Sequence, residues 1–102
     1  MLNNFVIVGR ITKIESEEIE NGTNKTIVTV AVSRNFKNIN GEYEIDLMPC
    51  TLFKGVAEAT KEHCKNGDLI ALKGRIQTNN NEIELMAERL TFLSIRKEED
   101  GE

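Results

Sequence analysis

Residues 52–77, LFKGVAEATKEHCKNGDLIALKGRIQ, hold the one segment of this chain that reads as a helix, set between two that read as strands. After Gly55, the residues Val56, Ala59, Thr60, His63 and Cys64 recur at i, i+3, i+4, i+7 and i+8, a narrow stripe along one helical face. Asn66-Gly67 is expected to close that helix, because glycine enters the left-handed conformation without a Cβ penalty. Asp68 to Gln77 then reads as a strand.

Upstream, the pattern is that of strands alone. Phe5 to Ile11 (FVIVGRI) reads as a strand running on toward Glu18, and the glycine in its interior is the mark of a bulge or of another chain approaching closely. Asn21-Gly22 tolerates positive φ, and Thr26 to Ser33 is rich in β-branched residues, which together predict a hairpin. Arg34 to Glu42 is polar and turn-forming, so a second, longer hairpin loop is expected there. Glu44 to Phe53 reads as the third strand, and Pro49, lacking an N–H, must sit at an edge or bulge. Downstream, Asn79-Asn80-Asn81 predicts a turn into a fifth strand, Glu82 to Ile95. The order β-β-β-α-β-β predicts an all-β fold, the five-stranded Greek-key barrel of the OB-fold, whose helix between strands 3 and 4 plugs one end. A generic α+β meander has the same order.

With 102 residues, the chain is sized for a single domain, expected over 1–96, with a short acidic and disordered tail over 97–102. Its net charge of −4 would argue against a polyanionic partner. That charge is local, however. Glu15, Glu17, Glu18 and Glu20 account for −4 and the segment 96–102 for −2, so the rest of the chain carries +2. Cys50 and Cys64 form no zinc-type spacing and are read as buried reduced thiols. The N-terminus has no signal-peptide pattern and no stretch is long and apolar enough for a membrane span, so a cytoplasmic protein is expected.

Several segments are similar to a known family. Asn3 to Ile11 (NNFVIVGRI) resembles the opening strand of bacterial single-stranded DNA-binding proteins, and Val30 to Lys37 (VAVSRNFK) resembles their second strand and aromatic-basic loop. Leu52-Phe53-Lys54, the helix through Ala57 and Ala59, Lys65 to Asp68 and Gly74 to Thr78 (GRIQT) resemble the segment joining their third and fourth strands. The resemblance runs from Leu2 to Ile95 and implies an OB barrel that binds single-stranded DNA as a homo-oligomer, a tetramer before a dimer. The chain departs from the family where stacking aromatics are expected: Leu47 and Asn81 occupy two such positions, and there is no Trp. The family's acidic, aromatic-capped tail peptide is not matched by Glu98 to Glu102: if the chain is whole, recruitment of replication or repair proteins lacks its motif, and if it is trimmed, the linker begins near Arg96. Chains of this length also resemble the primosomal replication protein N, a dimeric OB protein.

Single-stranded DNA presents phosphates and splayed bases, and a site for it needs cations beside flat apolar platforms. Phe36, flanked by Arg34 and Lys37, supplies both, although an ordinary loop aromatic would look the same. Phe53 is a second platform or a core residue. Arg10, Lys54 and Arg75 are assigned to the phosphate groove in preference to plain solvation of an outer face; Lys13 and Lys73 stay open between the two. Tyr43 stacks on a base or plugs the hairpin base. His63 is the only histidine, and its neighbour Cys64 points about 100° away on a helix, so the two cannot act as a nucleophile–base pair. A binding module, not an enzyme, is therefore expected, with no cofactor or metal. An adaptor that kept the fold and lost the DNA surface is the alternative from a different class.

Overall fold

The computed structural model describes residues 1–18 and 24–95; the expected Asn21-Gly22 turn and the acidic tail lie outside the described residues, as do the side chains of Glu18, Asn24, Phe53 and Lys54. Five strands and one helix follow in the order β1 (Phe5–Glu18), β2 (Asn24–Lys37), β3 (Tyr43–Phe53), α1 (Lys54–His63), β4 (Leu69–Asn79) and β5 (Glu82–Ser94). The strands close into a barrel in the order β1-β2-β3-β5-β4, the OB-fold arrangement. All neighbours are antiparallel except β3 and β5, which pair in parallel only at Cys50–Leu85 and Thr51–Met86.

Alternation builds the core. Phe5, Ile7 and Ile11 from β1, Val28 and Val30 from β2, Cys50 and Leu52 from β3, Ile70 and Leu72 from β4 and Ala87 from β5 are buried in one cluster. Ile11 and Ile14 both face this cluster although three positions apart, which strict alternation forbids. The irregularity between Ile11 and Lys13 resolves the conflict: a bulge at Thr12 restores the inward phase, and the Thr12 hydroxyl donates to the Thr29 carbonyl at 3.1 Å. Pro49 lies where β3 pairs with β2 and has not yet met β5.

Gly9 has its reason inside the barrel. A Cβ there would lie 2.3 Å from the Ala31 carbonyl oxygen and 2.7 Å from Val30 Cγ1. The glycine lets β2 cross close over β1, so it says nothing about a subunit contact.

Other boundaries differ from the sequence expectation. Strand β2 runs on to Lys37, so the loop expected from Arg34 shrinks to a tight turn at Asn38–Glu42. The Asn38 carboxamide oxygen accepts from the Asn40 and Glu42 amides at 2.9 and 3.0 Å, and Gly41 adopts φ 79°. Helix α1 starts at Lys54, one residue ahead of Gly55, and buries Ala57 and Thr60, with Cys64 buried just past its end. His63 is not on that buried stripe; its side chain is 75% exposed beside Glu62, because positions 57, 60 and 64 take the inward direction and leave 59 and 63 at the rim. Gly67, at φ 96°, does not cap the helix. It sits in the turn between Lys65 and Asp68, and its amide donates to the Ile11 carbonyl at 2.7 Å, tying that turn to the bulge in β1. No helix among the described residues is long and apolar enough to cross a membrane.

Candidate nucleic-acid interface

While Met48, Cys50 and Leu52 turn toward the core, Tyr43, Ile45, Leu47 and Pro49 of β3 face outward. Tyr43, Ile45 and Leu47 are 55%, 61% and 61% exposed, forming an apolar ridge that monomeric proteins ordinarily bury. Across the ladder, Lys37, Ser33 and Ala31 on β2 stand opposite these three. Lys37 Nζ lies 5.8 Å from the Tyr43 ring centroid, within cation–π range. Phe36, 65% exposed, projects from the irregular stretch of β2 between Ser33 and Lys37. One end of the ridge thus carries an aromatic pair and a cation.

Glu84 anchors the other end. Its carboxylate accepts from Thr51 at 3.1 Å and Gln77 at 3.3 Å and pairs with Lys25 at 3.4 Å. Burial alone would push the Glu84 carboxyl up, but the hydrogen bonds from Gln77, Thr51 and Lys25 outweigh it and hold the group below the usual carboxylate range. The cluster fastens β2, β3, β4 and β5 together beneath the ridge.

The expected cations are dispersed rather than pooled. Arg34 is clamped on β3 by Asp46, with Nε–Oδ2 3.0 Å and Nη2–Oδ1 2.9 Å, and by Glu44 at 2.5 Å. Arg75 donates to Glu88 at 2.6 Å and to Gln77 at 3.2 Å, and Arg10 donates to the Gly67 carbonyl at 2.9 Å. Lys13 pairs with Glu15 at 3.5 Å. The side chains of Phe53 and Lys54 lie outside the described residues, where β3 passes into α1.

Asp46 is held below the usual carboxylate range first by its hydrogen bond from Arg34 and then by the charge of the same guanidinium. A depressed folded-state pKa stabilises the fold above the ordinary carboxylate range, and that contribution is lost as pH falls through the depressed value. Asp46→Asn should therefore melt below the wild type at neutral pH, with the gap closing in acid below the Asp46 pKa. Thermal melts of both proteins across that range are the check; a gap constant into acid would show that the Asp46 charge is not what stabilises.

Two features of the site were hidden in the sequence. Ile45 was not singled out, yet β3 carries apolar residues on both its odd and even positions, which signals an outer face that is not simply solvated. Asn81 replaces an expected aromatic because Asn80 and Asn81 both have positive φ, 56° and 69°, in the two-residue turn joining β4 to β5. Asparagine tolerates that conformation and a bulky aromatic does not.

Among the described residues no three His, Cys, Asp or Glu side chains come together as metal ligands. Burial pushes the Cys50 thiol up to about 12 and raises that of Cys64, so both free thiols stay protonated and unreactive.

A closed OB barrel with an open apolar ridge on its outer face can hold an extended ligand along its surface. The model of the single-strand binding protein family matches residues 2–96. Single-stranded DNA-binding protein B of Bacillus subtilis is 42% identical over 85 residues, covering 82% of this chain and 75% of that protein. Single-stranded DNA-binding protein 1 of Streptococcus pyogenes is 42% identical over 83 residues, covering 80% of this chain and 64% of that one. A small single-stranded DNA-binding protein from Streptomyces coelicolor shares the fold with a TM-score of 0.71 at 14% identity, over 91% of this chain and 95% of that one. This chain belongs to the single-strand binding protein family.

Proposed function

We propose that this chain binds single-stranded DNA, largely without sequence preference, in replication, recombination or repair, and that it is not an enzyme. The observation that carries the proposal is the exposed Tyr43–Ile45–Leu47 ridge with Phe36 and Lys37 at its end. Bases would lie on Phe36, Tyr43, Leu47 and Phe53. Phosphates would meet Arg10, Arg34, Lys37, Lys54 and Arg75, with Arg34 and Arg75 exchanging carboxylate partners for phosphate oxygens. The names of the relatives agree with this ligand. The binding unit is residues 1–96, with 97–102 as an acidic tail, acting in the cytoplasm.

The chain would work as a homo-oligomer, a tetramer before a dimer. Phe5 to Gly9 of β1 pair with β4 alone, and the ladder to β2 begins only at Arg10. The free edge, with exposed Val6 and Val8, suits pairing with the same segment of a second copy about a two-fold axis.

Fluorescence polarisation with labelled oligo-dT and with duplex DNA tests the proposal, alongside light scattering for mass. Tight binding to oligo-dT alone, weakening as salt rises, is expected. No binding at low salt would leave the ridge to a protein partner. Phe36→Ala should weaken oligo-dT binding by about 1–3 kcal/mol, with melting almost unchanged because the ring is exposed. A steep fall in melting temperature at constant affinity would place Phe36 in the packing instead.

A further inference from the structure

The turn at Asn38–Glu42, beyond the Phe36 end of the ridge, is held from within by one residue. The Asn38 amide donates to the Glu42 carbonyl at 2.7 Å, its carbonyl accepts from the Gly41 amide at 2.9 Å, and its Nδ2 donates to the Glu44 carboxylate at 3.2 Å, besides the two bonds that its carboxamide oxygen accepts. Asn38, Asn40 and Gly41 are residues that such a turn favours. Ile39 is not. It is β-branched and 98% exposed, and among the described residues only the terminal Met1 presents a large apolar side chain more fully to solvent. Apolar residues scattered singly on a surface need no explanation, but this one is not alone. Phe36 and Tyr43, both exposed, stand on either side of it in the chain, so the tip continues the apolar ridge of Tyr43, Ile45 and Leu47.

Whatever meets this tip must offer an apolar surface. Phosphate is disfavoured there, because Glu42 is exposed in the same turn and Lys37, the nearest cation along the chain, is drawn over the Tyr43 ring. The face of a base is such a surface, and so is a pocket on another protein. Continuity favours nucleic acid, since bases lying on Tyr43 and Phe36 lead along the hairpin to Ile39. The three side chains differ in shape, however. A planar ring holds a base by stacking flat against it, whereas a branched aliphatic side chain on a narrow turn suits insertion between stacked bases, the way apolar wedges open base steps in DNA. The end of a duplex is where such insertion costs least, because the terminal pair is stacked on one side only.

We propose that Ile39 is a wedge for the junction between single strand and duplex, entering the stack beside the terminal base pair as one strand of that pair is drawn onto Phe36 and Tyr43. The hydrogen bonds of Asn38 make this possible, since a yielding tip would deform before the stack opened. The proposal rests on the DNA-binding reading above and adds to it an activity, the opening of duplex ends, that binding to a bare single strand does not call upon.

The test uses a DNA hairpin with an oligo-dT tail, carrying a fluorophore and a quencher across the base pair next to the tail. Wild type, Ile39→Ser and Ile39→Leu are compared at saturating protein for the rate of stem opening, with oligo-dT affinity, mass by light scattering and melting followed in parallel. Ile39→Ser should open the stem about 10-fold more slowly, the equivalent of one base step at roughly 1.4 kcal/mol. Its oligo-dT affinity, mass and melting should match the wild type, because the side chain touches neither the core nor a bare strand on the ridge. Ile39→Leu keeps the apolar bulk and should open the stem at the wild-type rate. Oligo-dT affinity falling in step with the opening rate would make Ile39 one more ridge contact and overturns the wedge. An opening rate unchanged in Ile39→Ser overturns it as well and leaves the tip to a protein partner, and a lower mass would assign the tip to a contact between copies instead. Each of these failures leaves the DNA-binding reading standing while wild type binds oligo-dT; a wild type that does not bind oligo-dT removes both.

Discussion

Gly74→Ala should destabilise the barrel more than any exposed substitution discussed above, by about 3 kcal/mol or more. A Cβ at Gly74 would lie 1.9 Å from the Met86 carbonyl oxygen and 2.9 Å from the Ala87 Cα. The obstruction is backbone, so no rotamer change relieves it; β4 and β5 would have to separate where their ladder is already irregular. For a domain of this size the loss corresponds to a fall of roughly 12–24 °C in melting temperature, and unfolding at ambient temperature would be the same result carried further. Thermal melts followed by circular dichroism measure it. A variant melting within a few degrees of wild type would show that the two strands have room to separate there.

Leu47→Trp is expected to act in the opposite sense, on function and upward. Leu47 is 61% exposed, stands opposite the small Ala31, and occupies the end of the outward ridge away from Phe36, so an indole can lie flat there without entering the core. A stacked base contributes about 1–3 kcal/mol, and replacing an aliphatic platform by an aromatic one should tighten oligo-dT binding roughly 5- to 150-fold. Because the chain has no other Trp, the new indole also reports on its own contact, and its emission should be quenched as oligo-dT is added. Unchanged affinity together with unchanged emission would take the DNA path away from β3. Melting should move little, since the position lies outside the core.

The two substitutions separate what was legible from what was not. The strand carrying Gly74 is readable from the apolar run Leu69 to Leu72 that follows the Asn66-Gly67 turn, and its glycine announces some close approach. Which backbone approaches is another matter, because β4 and β5 meet through a register that only the closed sheet defines. Gly9 teaches the same lesson. An interior glycine in an apolar strand suggested a neighbouring chain, and the neighbour is Ala31 of the same barrel. His63 failed in a different way: stripes at 56, 59, 60, 63, 64 and at 57, 60, 64 both have helical spacing, and only docking on the barrel selects the second.

The element order, the position of the single helix, the buried cysteines and the aromatic-basic segment around Phe36 were determined by the sequence itself. Each depends on a local property, an alternation of two, a recurrence near 3.6, or neighbours along the chain, and such properties need no knowledge of partners across the sheet. The tertiary structure alone decided what each cation faces. Arg34 looked like a phosphate contact beside Phe36, but strand pairing sets it against Asp46 and Glu44, twelve and ten residues away. Lys73 looked undecided, and the β4–β5 register sets it against Arg89. Charge pairing across a barrel depends on register and bulges, where a slip of one residue turns every side chain to the other face, so it emerges only when the strands have closed.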